Sequence, residues 1–196
     1  MLDPGRPRRM RFLAYPYVGP EEIRRRSVAA PPGALIHSLP DLQCWLAAHP
    51  DALVEGATYV VDLRACLRLA PRRSEHVACA GGEEVLAAGE MGFVSQARTF
   101  SVSVVSNLST GYRPDVACWD AVAESLARAG LSAPSGLTTS VHFRRCPACG
   151  ESTLVKEQWF VCTFCDADLP LEWNVSARRE VDVVAEGGRA RRLGLT

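Results

Sequence analysis

Four of the eight cysteines in this chain of 196 residues are grouped in one stretch, "CPACGESTLVKEQWFVCTFC". Cys146 and Cys149 form one Cys-x-x-Cys pair, Cys162 and Cys165 a second, and twelve residues separate the pairs. A Cys-x-x-Cys turn brings two sulfurs together with their lone pairs aimed at one point, and two such turns complete a tetrahedral site for a soft-ligand metal such as zinc. The twelve residues between suffice for two short strands and a reversal. Leu154 and Val155 sit on one arm, and Trp159, Phe160 and Val161 on the other. Four thiolates leave no open coordination position, so the expected role of the ion is structural. The same geometry accepts iron, and the spacing does not separate the two metals.

This segment resembles the zinc-ribbon family over about residues 142–173. The first knuckle, "CPACG", matches the family pattern: Pro147 stiffens the turn, and Gly150 permits the backbone conformation that directs amides at the sulfurs. The second, "CTFCDAD", departs from it, with Asp166 where glycine is usual. Aspartate tolerates left-handed backbone better than most residues. A thioredoxin-like redox dithiol is a poorer reading, because that chemistry uses a single Cys-x-x-Cys opening a helix. A nucleobase-deaminase reading fails on order. Glu75 precedes His76, Pro147 follows its cysteine, and the second pair is left unexplained.

A second group of polar residues stands at strand ends: Ser74, Glu75 and His76 in one turn, Glu90, and Asn107, Ser109, Thr110 and Tyr112 in "SNLSTGY". Together they contain an acid, a base and hydroxyls, and His76, Glu90, Asn107, Ser109, Thr110 and Tyr112 are the candidate pocket. The competing reading is turn chemistry, in which such side chains bond their own backbone. It is favoured, because no spacing here encodes a known mechanism. Cys44, Cys66, Cys79 and Cys118 show no ligand spacing and read as isolated thiols, Cys44 and Cys118 in helical patterns, Cys66 and Cys79 in strand patterns. The succession "RRSEHVACAGG", "SNLSTGY", "CPACG" resembles bacterial proteins that lend it no activity.

The elements that must position these groups read as a mixed α+β protein. Its antiparallel sheet carries two or three helices and is followed by the four-cysteine ribbon. Residues 1–10 read as a flexible basic tail, 11–139 as the α+β domain, 140–173 as the ribbon and 174–196 as a mobile tail. Arg11 to Tyr15 is an expected strand. "EEIRRRSV" is an expected helix with its arginines in solvent. "SLPDLQCWLAAHP" is a helix capped by Ser38, with Leu39, Leu42 and Leu46 on one face. "TYVVDL", "CLRLA", "EHVACA", "EVLAAGEMGFV" and "RTFSVSVVSN" read as strands, with a turn at Gly81-Gly82. "RPDVACWDAVAESLARAG" is a helix capped by Asp115, stopped at Gly130, and apolar on the face of Val116, Trp119, Val122 and Leu126. "SVHFRR" is a strand leading into the first knuckle.

Composition narrows the function. The apolar share is 47%, and 22 basic side chains balance 22 acidic ones. That balance weighs against a dedicated nucleic-acid binder. Lys156 is the single lysine, an arginine bias expected of a bacterial source with a GC-rich genome. No run of about 18 apolar residues is present, and the N-terminus lacks a signal-like apolar run, so the expected setting is cytoplasmic and away from membranes. The leading expectation is a non-enzymatic zinc-binding protein that uses the ribbon, with Trp159, Phe160 and Phe164, as a platform for a protein partner. One alternative is a nucleic-acid-associated role through Arg144, Arg145, Lys156, Arg178 and Arg179, which Glu151, Glu157, Asp166, Asp168 and Glu172 offset. Another is an enzyme built on the polar loops.

Overall fold

The computed structural model describes residues 9–96 and 99–184. The elements run β1 (Arg9–Ala14), α1 (Glu21–Val28), β2 (Ala34–Ile36), α2 (Leu39–Ala48), α3 (Ala52–Glu55), β3 (Ala57–Val61), β4 (Leu67–Pro71), α4 (His76–Cys79), β5 (Ala87–Gln96), β6 (Thr99–Val105), α5 (Trp119–Arg128), β7 (His142–Arg145), β8 (Ser152–Val155) and β9 (Arg179–Val184). A five-stranded antiparallel sheet of order β2-β4-β3-β5-β6 forms the centre. The expected α+β architecture with an antiparallel sheet is the one observed.

Every residue of β3 is buried, as suits the largely apolar "ATYVV", and the hydroxyls of Thr58 and Tyr59 donate to backbone carbonyls. The helix α5 packs across β3, β4 and β5 and buries Ala121, Val122, Ser125 and Leu126. Its entry is a short 3-10 turn, Val116–Cys118, where the Asp115 carboxylate accepts from the Ala117 N–H at 2.9 Å. Its exit is Gly130, in left-handed conformation at φ +65°. The helix α2 starts as expected, with Ser38 Oγ accepting from the Asp41 N–H and Pro40 in the first turn.

Gly89 shows how tightly β5 and β6 cross. A Cβ there would lie 1.9 Å from the Ser106 carbonyl oxygen, so no other residue fits. That carbonyl also accepts from the buried Tyr59 hydroxyl at 2.9 Å.

Three expectations need correction. "EHVACA" is not a strand but the single helical turn α4, burying Val77 and Cys79. The reason is that β3 is already paired on both sides, by β4 and β5, so the segment has no open edge beside it. Residues 9 and 10 do not belong to a tail, because they open β1. Nor is the chain loose from residue 174. Val175 is buried, and β9 pairs antiparallel with β1 from Arg9↔Val184 to Ala14↔Arg179. Phe12 faces Val181 and Met10 faces Val183, so two alternating apolar patterns from opposite ends of the chain cover each other. The rest of the two expected tails, 1–8 and 185–196, lies outside the described residues.

Candidate metal centre

The ribbon is built on the β7–β8 hairpin, paired from His142↔Val155 to Arg145↔Ser152. The first knuckle sits in its loop. The chain then reverses at Glu157-Gln158, both in left-handed conformation, with Lys156 bridging Trp159. That is the geometry of a tight two-residue hairpin turn. The returning arm bridges Val161 to Asp168 around the second knuckle.

The two knuckles repeat one hydrogen-bond pattern. In the first, Gly150 N–H donates to the Cys146 carbonyl and Cys146 N–H to the Glu151 carbonyl. In the second, Asp166 N–H donates to the Cys162 carbonyl and Cys162 N–H to the Ala167 carbonyl. Gly150 has φ +78° and Asp166 has φ +58°. The aspartate therefore takes up the same left-handed conformation as the glycine of the first knuckle, and the two turns form alike.

The four sulfurs lie within 4.8 Å of one another. Cys146 and Cys165 are 3.6 Å apart, and Cys149 and Cys162 are 3.7 Å apart. A tetrahedron of sulfurs at metal–sulfur bonds of about 2.3 Å has edges of about 3.8 Å, so this cluster fits a metal ion closed in by four thiolates. Backbone amides point into it. Phe164 N–H donates to Cys162 Sγ at 3.4 Å. The amide of Cys149, followed by that of Ala148, draws the Cys146 thiol down to about 7 against the burial that opposes it. Cys149 moves the other way, to about 12. The Glu151 amide pulls it down, but burial and the three neighbouring sulfurs prevail. One negative charge is easily placed in the cluster and further ones are not, unless a cation joins them.

One set of contacts braces the ribbon internally, and a second holds it on the domain. Arg144 is buried. Its guanidinium donates to the carbonyls of Pro170 (3.0 Å), Phe143 (2.8 Å) and Leu171, and lies over the Phe160 ring at 5.4 Å. It is a clamp inside the protein, not the surface cation the sequence reading took it for. Past the second knuckle, Trp173 is buried in the main core. It meets Tyr15 edge-on at 5.3 Å, and its indole N–H donates to the Arg113 carbonyl at 2.9 Å. Asn174 exchanges two hydrogen bonds with the backbone of Arg145.

Five of the six candidate pocket side chains have partners of their own. His76 Nε2 donates to the Gly89 carbonyl at 2.9 Å, and burial pushes its pKa below the usual imidazole value. Glu90 pairs with Arg72 at 2.6 Å. Asn107 is fully buried, donating to the carbonyls of Pro114 (3.0 Å) and Val141 (2.8 Å) and accepting from the Val141 N–H. It fixes the strand that enters the ribbon. Ser109 Oγ accepts from the Tyr112 N–H in its own turn. Thr110 is exposed, and its carbonyl accepts from Arg113. The Tyr112 hydroxyl donates to the Glu83 carbonyl at 2.6 Å. Of these side chains Ser109 bonds within its own turn, whereas His76, Asn107 and Tyr112 reach carbonyls of other segments and Glu90 pairs across to Arg72. A cavity of about 590 Å³ lies elsewhere, lined by Arg64, Cys66, Arg128 and Val184 among others.

The ribbon's aromatic residues divide. Phe160 packs against its small core of Val155, Leu169, Cys146 and Cys162. Trp159 and Phe164 do not, being 72% and 65% exposed, and Leu171 is 75% exposed. Leu171 had no sequence signal, because nothing in "DLPLEW" tells which leucine turns outward. The chain matches no family model, and no curated protein or solved structure is significantly similar to it.

Proposed function

We propose that this is a zinc-binding, non-enzymatic interaction or regulatory protein of a reducing, cytoplasmic setting, whose ribbon presents a docking surface to a protein partner. The observation that carries the reading is the pairing of a closed four-thiol site with exposed Trp159, Phe164 and Leu171 on the same unit. A four-thiolate site with no open position stabilises rather than catalyses, and large exposed side chains on a rigid support suit docking. Zinc is favoured over iron because it needs no redox partner and is the common occupant of such structural sites.

The test has two parts. Elemental analysis of purified protein is expected to return about one zinc per chain, with no visible iron–thiolate absorption. A Trp159→Ala/Phe164→Ala variant is expected to keep that zinc and to lose the higher-mass complex that the tagged chain forms in its native lysate. Zinc-free folded protein, or a complex indifferent to both aromatics, would remove the proposal.

A further inference from the structure

The exposed indole of Trp159 borders a concave site of about 330 Å³, enough for one large side chain. Leu154 and Val161 supply apolar lining, while Glu157 and Asp166 supply carboxylates. Among the described residues, neither carboxylate is in an ion pair. The wider unit has the same sign. Residues 142–173 carry five carboxylates against three basic side chains, a net of two negative charges on a chain whose formal net charge is zero. One of the three cations, Arg144, is buried against carbonyls. Four thiolates around a dication would add two further negative charges.

This chemistry selects among partners. A phosphate backbone meets net repulsion here, and the aromatic surface alone does not offset it. An arginine side chain meets three complementary features at once. The indole face receives the guanidinium, the two carboxylates accept its N–H groups, and the apolar lining covers its methylenes. Lys156 also lines the site, so its two carboxylates exceed its own cation by one charge, enough for a single added guanidinium.

We infer that the cavity beside Trp159 is an anchor site for an arginine of a basic, partly apolar protein segment, with Glu157 and Asp166 as its charge partners. The inference rests on the docking reading above and adds the partner's chemistry to it.

The test uses the zinc-loaded full chain, isotope-labelled. It is titrated with nine-residue peptides carrying arginine, lysine, glutamine or glutamate beside a central leucine, and separately with a twelve-base oligothymidine. The arginine peptide is expected to shift the Trp159 indole N–H and the amides of 157–166, and to bind more tightly than the lysine, glutamine and glutamate forms in that order. Trp159→Ala should weaken it about tenfold, and Trp159→Phe much less, since a ring face remains. Glu157→Gln with Asp166→Asn should weaken it about fivefold and flatten its salt dependence. Unchanged circular dichroism and zinc content show that these variants fold. No shift with either basic peptide, or oligothymidine bound in their place, overturns the inference. Equal binding of glutamine and arginine peptides, abolished by Trp159→Ala, would leave a docking site but end the claim of a basic partner. Peptide binding unaffected by Trp159→Ala would end both.

Discussion

The central sheet and the ribbon solve the same problem by different means. In the sheet domain the largest side chains go inward. Tyr15, Tyr59, Tyr112, Leu42, Leu67, Leu86 and Met91 are all essentially fully buried, and the continuous core draws on elements from β1 to β9. The ribbon lends Phe143 and Trp173 to that main core, and its own separate cluster holds Val155, Leu169 and two of its cysteines, with Phe160 and Ala167 packed beside them. So few apolar groups cannot offset the ordering of about thirty residues, roughly 1–2 kcal/mol of backbone entropy each. What replaces the missing core is the four-thiol cluster. Trp159 and Phe164 lie outside the apolar cluster and face outward.

Breaking the cluster gives the largest expected effect. Cys149→Ser, or chelation, should unfold the ribbon, since apparent zinc binding of about 10 kcal/mol or more is folding energy in such units. The sheet domain should persist. Trp173 and Val175 belong to the main core and β9 is paired with β1, so proteolysis should cut within 147–171 and leave the two pieces associated. Gel filtration under native conditions checks this, and a chain that melts as one unit would erase the contrast between the regions.

Two tryptophans sharpen the comparison. Trp173→Ala should lower domain stability by about 3–5 kcal/mol in urea denaturation, because it empties a buried site and orphans the Arg113 carbonyl. Trp159→Ala should stay within about 0.5 kcal/mol, as expected for an exposed side chain. Equal effects would mean that the ribbon's aromatics are structural after all.

Asn107→Ala should fall between them, at about 2–4 kcal/mol. It leaves the part-buried Val141 N–H without its acceptor and two carbonyls without donors. Its mark would be loss of order at the ribbon's entry in hydrogen exchange.

Smaller effects concern one knuckle and one histidine. Asp166→Gly should raise zinc affinity a few-fold in a chelator competition, because glycine takes φ +58° without strain. The His76 pKa is lowered in the folded protein by burial, so the unfolded chain binds its proton first. The stability that neutral His76 permits is therefore full above about pH 6.5 and declines as pH falls from there through the folded value. His76→Gln, which can keep a donor toward Gly89, should flatten that slope in pH-dependent denaturation of the sheet domain.

What the sequence determined by itself was local. The two knuckles, the Ser38 and Asp115 caps and the stop at Gly130 are set by residues within a few positions of one another, so spacing alone reveals them, whereas in β6 the structure breaks the alternation of Phe100, Val102 and Val104 by exposing Val104 and burying Val105. Asp166 is equally local, since its left-handed conformation is a property of the residue and its turn. The tertiary structure decided whatever depends on a distant partner. Val181 and Val183 alternate visibly, but their strand exists because β1 lies beside it, some 170 residues earlier. "EHVACA" has the composition of a strand, and becomes a helical turn because the neighbouring edges were taken. Arg144 reads as a surface cation until three carbonyls surround it. His76, Glu90, Asn107 and Tyr112 take partners that the sequence does not show, because each partner lies on another segment. Which large side chains remain outside is the most global property of all, since it depends on how much core every other element has already filled. For the ribbon that balance was decided by four sulfurs, and it left Trp159, Phe164 and Leu171 in solvent.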